Sequence, residues 1–356
     1  MSYTSSSVGT AMSCLRKYNY KYIKQFRELS IGTAAVAGSL SHIGFESFWK
    51  GEDLVKAVSN MRLKSVGHHE WDLQRHQDKL GNIADVAFWE SEEGMITFSK
   101  CKAYVIGYYN EYADEFVKGG LETCVTEQEF EFNLGGHTFK GKWDVFYFDN
   151  GRPVVLDHKT TSVSIETETG VFFERLPMDV QCTIYREAAW RVPNPTGAFP
   201  VVIYDIIAST KSSRKQKKKI AKRKSETDEE YAKRKVENHE SLEEYDERVT
   251  QTYLTNPMKY VRYEVLCTIS QHEERLQELL TYVGILNTGK IHHPELFEIR
   301  NSSSCFNYGG CTYMDVCLGR DSLESSTKLI QIDTNHPELN DKDSLVLPNN
   351  SNIIRR

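Results

Sequence analysis

The chain has 356 residues, 39% of them hydrophobic and 26% charged, with 44 Lys and Arg against 50 Asp and Glu for a net charge of −6. It can bury a sizeable core, as one large domain or two smaller ones. The acidic balance excludes a surface that attracts nucleic acid as a whole, so such a partner has to be met by a local patch.

The start, MSYTSSSVGT, holds no apolar core of the signal-peptide type. The longest apolar run, Ala198 to Ala208, is broken by Asp205 and is too short to span a bilayer. Both point to an intracellular protein without a membrane span. Eight cysteines in such a chain point to metal or redox chemistry rather than disulfides.

In chain order, Ser5-Ser6-Ser7 is a helix-capping region, followed by Cys14 among Arg16, Lys17, Tyr18, Tyr20, Lys21 and Tyr22. The basic and aromatic residues suit either a snorkelling helix face or contact with phosphates and bases. Gly32 to Lys50 reads as a helix whose small residues allow close packing, with His42 and Glu46 on one face. Asp53 to Gly119 reads as several helices. Val125 to Leu134 alternates Phe130 and Phe132 against Glu129 and Glu131, a strand pattern. Gly135-Gly136 turns it into the next strand, His137 to Phe148.

Gly141 to Thr160 carries the strongest local signal. Asn150-Gly151 between β-rich runs predicts a type I′ hairpin, since both central residues need positive φ. Opposed residues then have numbers summing to 301, which sets Asp144 against Asp157. Directly opposed like charges are destabilising, and a divalent cation is the simplest offset. Two acids on a solvated hairpin are the plain alternative. Lys159, two residues past Asp157, points to the same face.

Beyond the hairpin, Pro177 and Asp179 open a helix on which Gln181 and Tyr185 share a face. Phe199 to Ile207 reads as a strand covered on both sides. Lys211 to Lys224 holds nine Lys or Arg and no acid, and Ser225 to Arg248 is rich in Asp and Glu. This pattern fits a solvated helical arm or a phosphate-binding one. A strand over Lys259 to Cys267 and a helix over Ser270 to Leu286 follow. Cys305, Cys311 and Cys317, each six apart beside Gly309-Gly310, form a soft-metal signature one thiolate short of a tetrahedral set. Cys14 is the candidate fourth, and spacing alone does not separate iron–sulfur from zinc.

Together these segments resemble the RecB-like branch of the PD-(D/E)XK nuclease superfamily, especially its phage-type and Cas4-like exonucleases with a cysteine cluster. The matching pieces are Gly38-x-x-x-His42, Gly141-x-x-Asp144, Asp157-x-Lys159, Gln181-x-x-x-Tyr185 and the four cysteines. The resemblance implies an α/β restriction-endonuclease-like core, a mixed central sheet flanked by helices. Around it stand an N-terminal helical region (1–120), core sheet and helix (121–210), charged helical insertion or arm (211–250), last strand, helix and Cys-rich cluster loop (251–318), and flexible tail (319–356). It implies that His42, Asp144, Asp157 and the His158 carbonyl bind Mg²⁺ or Mn²⁺. Lys159 positions and helps deprotonate the attacking water, and Gln181 and Tyr185 hold the DNA strand. Cys14, Cys305, Cys311 and Cys317 bind a [4Fe–4S] cluster, with zinc as the alternative. The implied activity is a DNA exonuclease of recombination, repair or phage replication. It would work in the cytoplasm of a bacterial host cell, host- or phage-encoded, beside a helicase or recombination protein. Two other readings stand beside it: a non-catalytic DNA-binding scaffold with structural zinc, and a CRISPR-adaptation nuclease. Asp157 in place of the commoner Glu, His158 between acid and lysine, and the C-x5-C-x5-C spacing depart from the usual pattern.

Overall fold

The computed structural model describes residues 2–29, 33–62, 87–117, 124–166, 170–194, 196–209, 213–306, 310–332 and 345–348. Parts of the helices expected over 53–119, Lys211, and residues 333–344 and 349–356 of the tail lie outside the described residues.

The strand β1 (Ser2–Tyr3) leads into helix α1 (Ser5–Ser13). Thr4, not the serine triplet, is its N-cap, and Thr4 and Ser7 cap each other reciprocally. A short strand β2 (Phe26–Glu28) precedes helix α2 (Thr33–Trp49). Helix α3 (Glu92–Glu111) starts at the Ser91 cap, with Glu92 and Glu93 in its first turn where the backbone dipole favours acids.

The sheet begins with β3 (Val125–Leu134), β4 (His137–Asp149) and β5 (Arg152–Thr161). Gly135 and Gly136 join the first two at φ 58° and 79°, and Asn150 and Gly151 join the second pair at φ 47° and 81°. The second turn has the positive φ at both centres that the Asn-Gly dipeptide predicts. Helix α4 (Val180–Arg191) is capped by Asp179, which accepts from the Gln181 N–H at 2.9 Å. It crosses back to β6 (Val201–Ala208), which runs parallel to β5. Two helices, α5 (Asp228–Glu237) and α6 (Leu242–Leu254), fill the acid-rich half of the charged segment, each with a capping box. Next come β7 (Tyr260–Glu264), antiparallel to β6, and helix α7 (Ile269–His292).

The result is a mixed sheet in the order β7-β6-β5-β4-β3, with β1 joining β4 in parallel. Helices cover both faces, as the α/β expectation requires. One core packs Trp143, Val155, Tyr185 and Tyr204 with residues of α4 and α7. The other packs Val145, Leu156 and Ile207 with Phe45, Phe48, Tyr104 and Tyr245 of α2, α3 and α6.

The flexible tail expected from residue 319 fails over its described part. Strand β8 (Leu329–Gln331) pairs antiparallel with β2, and β9 (Leu345–Val346) extends the sheet in parallel beside β3. Leu323, Leu329, Ile332 and Leu347 are buried. A few apolar residues in a polar stretch are enough to anchor it, at about 1.5–3 kcal/mol each when fully buried.

Candidate active site

The hairpin register is the one expected: Asp149 faces Arg152 and Val145 faces Leu156. The regular β4–β5 pairing stops at Val145 and Leu156, one pair short of Asp144 and Asp157. The strict alternation of β4 also breaks at this point. Trp143 and Phe146, three apart, stack on each other at 4.6 Å in one core, while Val145 belongs to the other. Asp144 is freed from simple period-2 geometry, and its Oδ2 accepts the backbone N–H of His158 at 2.8 Å.

The Gly135-Gly136 turn places a further acid there. Across β3 and β4, Glu127 and Asp144 stand between the pairs Thr126–Val145 and Gln128–Trp143. Glu127 takes φ 53°, a left-handed conformation that a non-glycine residue adopts only at a cost. His42 reaches in from α2, with Nδ1 3.4 Å from Asp144 Oδ2. His42, Glu127 and Asp144 offer ligand atoms that all lie within 4.8 Å of one another. Sequence reasoning missed Glu127. Opposed residues across this turn sum to 271, so extending the register argument by one strand would have found it.

Asp157 is outside that group. It is 2% exposed, its Oδ1 accepts from Gln181 Nε2 at 2.9 Å, and its Oδ2 lies 2.6 Å from Lys159 Nζ. Lys159 in turn donates to Gln181 Oε1 at 2.7 Å. Acid, amide and ammonium thus close a ring that fixes all three. Tyr185, one turn along α4, donates to the Lys142 carbonyl at 2.7 Å and braces β4.

The charges divide unequally. Burial pushes the Asp144 carboxyl up, but His42 and the His158 N–H outweigh it and hold the group well below the usual carboxylate range. Burial raises Asp157, and Asp144 adds repulsion that Lys159 only partly offsets. Burial also disfavours the Lys159 ammonium, yet Asp157 and Asp144 raise it above its ordinary value. Lys159 is therefore a cation at neutral pH.

Behind the hairpin runs a second row, buried at His158 and Asp205 and half-buried at Arg262. His158, Asp205 and Arg262 stand abreast on β5, β6 and β7. Asp205 Oδ2 lies 3.4 Å from His158 Nδ1, accepts from Tyr108 Oη at 2.5 Å, and lies 3.5 Å from Arg262 Nε. The His158 ring faces Asp205, Phe45 and Tyr108, so what His158 turns towards Asp144 is its backbone N–H.

The cysteines lie at a third place. Arg16 N–H donates to the Ile299 carbonyl, and Asn301 and Ser304 donate to the Ser13 carbonyl at 2.9 and 3.1 Å. These bonds bring the segment with Cys14 against the loop with Cys305, Cys311 and Cys317. All four are free and partly exposed. Burial raises the Cys317 thiol, with Cys311 and Cys14 among its electrostatic neighbours and Arg16 opposing them. No three of the four sulfurs fall within 4.8 Å of one another.

Clustered carboxylates and an imidazole beside a half-buried lysine, on a mixed sheet flanked by helices, are a donor set that could hold a hard cation. A family model described as the PD-(D/E)XK nuclease superfamily matches residues 2–318. The chain belongs to that superfamily. No curated protein matches. A solved structure described as the crystal structure of SSO0001 is 23% identical over 34% of this chain and 55% of its own, with a TM-score of 0.19. The match spans about half of that protein's length and carries no argument for fold or function. No helix among the described residues is long and apolar enough to cross a membrane.

Proposed function

We propose that the chain is a metal-dependent DNA exonuclease that acts on single strands or DNA ends in recombination, repair or phage replication. The observation that carries this reading is the closure of His42, Glu127 and Asp144, from three separate elements, beside the Asp157–Gln181–Lys159 ring. His42, Asp144 and Asp157 would hold Mg²⁺ or Mn²⁺, joined by Glu127 and the His158 carbonyl. The donor set fits: hard oxygens with one imidazole suit either ion. A bound ion supplies a water of lowered pKa and polarises the scissile phosphate.

The chain's own groups set the geometry around that chemistry. Lys159, held as a cation, offers positive charge to a phosphate oxygen and orients the attacking water. Gln181 holds acid and lysine at fixed separation, and Tyr185 fixes the β4 backbone from which Asp144 projects. The four cysteines would hold a [4Fe–4S] cluster, or zinc, that clips the two chain ends together. Their support is the free thiols on segments already joined by hydrogen bonds.

Anaerobic purification, metal analysis and a Mn²⁺-dependent assay on end-labelled DNA test both centres. Asp157→Ala and Lys159→Ala each lower kcat by about 10²–10³-fold or more while DNA binding persists. Undiminished cleavage by both variants would refute the site. A brown protein that bleaches on reduction contains the cluster, and a colourless one with bound zinc contains the alternative.

A further inference from the structure

Residues 213–224 carry eight Lys or Arg and no acid. Like charges at this density repel, and a linker of such composition extends into solvent. Here the backbone is pinned instead. Lys215 N–H donates to Glu240 Oε1 at 2.8 Å, and its carbonyl accepts from the Glu240 N–H at 2.8 Å. Lys217 N–H donates to the Asn238 carbonyl at 2.7 Å, and the Asn238 amide donates to the Lys218 carbonyl. Tyr231 Oη and Arg234 Nη2 donate to the carbonyls of Ile220 and Ala221 at 3.3 and 2.9 Å. The α5–α6 hairpin therefore works as a bracket for an irregular strap.

The hairpin's acids also sort the cations. Lys217 pairs with Glu244 at 2.8 Å and Lys222 with Asp228 at 2.6 Å, while Arg214 pairs with Glu92 at 2.6 Å. Lys215, Lys218, Lys219 and Lys224 are exposed and form no ion pair among the described residues. A pinned backbone that presents unpaired ammonium groups is preorganised for a polyanion, because little ordering remains to be done on binding.

Two tethers set where the strap lies. In the parallel pair of β5 and β6, Lys159 stands abreast of Ile206 and Thr161 abreast of Ala208. Ser209 N–H then donates to the Thr161 carbonyl at 2.6 Å. The strap thus leaves the sheet at the end where Asp157 and Lys159 sit. Arg214 ties it to Glu92 at the start of α3, and the adjacent Glu93 accepts from Thr33 of α2, the helix that carries His42.

From these contacts we infer that residues 213–224 are a phosphate-gripping strap, with Lys215, Lys218, Lys219 and Lys224 contacting the backbone of the DNA whose end enters the site. This rests on the nuclease reading for its substrate. The test is the variant K215Q/K218Q/K219Q/K224Q in the full chain, with DNA affinity measured in EDTA across a range of NaCl concentrations. Each phosphate contact contributes about 0.7 to the slope of log K against log salt for single strands and about 0.9 for duplex. The variant's slope is expected to be shallower by about 3 on single strands, with the KM for long DNA raised. Hydrolysis of a small phosphodiester, the p-nitrophenyl ester of thymidine 5′-phosphate, stays unchanged. Bound DNA should also protect these four lysines from acetylation in the wild-type chain. An unchanged slope overturns the strap, as does equal acetylation with and without DNA. Loss of binding to phosphatidylserine vesicles with the DNA slope intact overturns it too, by assigning the patch to a membrane surface. The two readings fail separately. A chain that cleaves nothing but loses the slope keeps the strap and drops the nuclease, and one that cleaves with an unchanged slope does the reverse.

Discussion

Glu127 holds a strained φ of 53° with its carboxylate beside Asp144 and His42, and its present partner is Lys142. The proposed role of Glu127 as a ligand predicts that Glu127→Gln raises the Mn²⁺ concentration for half-maximal cleavage by about 10–100-fold. An unchanged Mn²⁺ midpoint would leave Glu127 as a partner of Lys142 only. Asp205 acts differently. Burial pushes its carboxyl up, but His158, Arg262 and Tyr108 hold it below its ordinary value. Its contribution to stability is present above the unfolded pKa of about 3.9 and is lost as pH falls through the lower folded value. Asp205→Asn removes one partner of a buried pair and should cost about 3–5 kcal/mol at neutral pH. Urea unfolding at pH 7 and pH 3 checks both points, since the gap between wild type and variant should narrow in acid.

At the scale of elements, the close contact between α2 and α3 sets where His42 reaches. Gly38, which the sequence suggested as a packing point, has no atom within 4 Å of a built Cβ, whereas at Gly44 a Cβ would meet Val105 Cγ2 at 2.3 Å. Gly44→Ala forces the helices apart two residues from His42. It should cost about 1–3 kcal/mol and lower cleavage beyond what the stability loss explains, as a denaturant midpoint and a Mn²⁺-dependent assay would show. Equal activity per folded molecule would separate α2 packing from the site. The charged arm makes the same point about elements. Its acid-rich half forms two capped helices, and α6 packs Tyr245, Val249 and Tyr253 into the core beside α3, so the insertion is part of the fold.

For the whole molecule, the ends matter more than their composition suggests. Tyr20, Phe26, Tyr313, Leu323 and Leu329 form one small core from both ends of the chain, with Cys311 and Cys317 packed against it. Truncation after residue 318 removes β8 and β9 together with buried Leu323, Leu329, Ile332 and Leu347. At about 1.5–3 kcal/mol per buried aliphatic side chain, the loss is several kcal/mol, and it should appear as a lowered denaturant midpoint. An unchanged midpoint would mean that the C-terminal strands contribute nothing to stability.

Local chemistry in the sequence was enough to place the hairpin, because Asn150 and Gly151 dictate the turn and the turn dictates the register of the strands beside it. It also placed Asp157, Lys159 and Gln181 on neighbouring elements and marked β6 as covered on both faces. Period-2 counting did not foresee the break at Asp144, nor the Glu127 backbone that answers it. The approach of His42 to Asp144, the row of His158, Asp205 and Arg262, and the tether from Arg214 of the strap to Glu92 join residues from 47 to 122 positions apart. Contacts of that span depend on which faces pack together, and only the folded chain decides that.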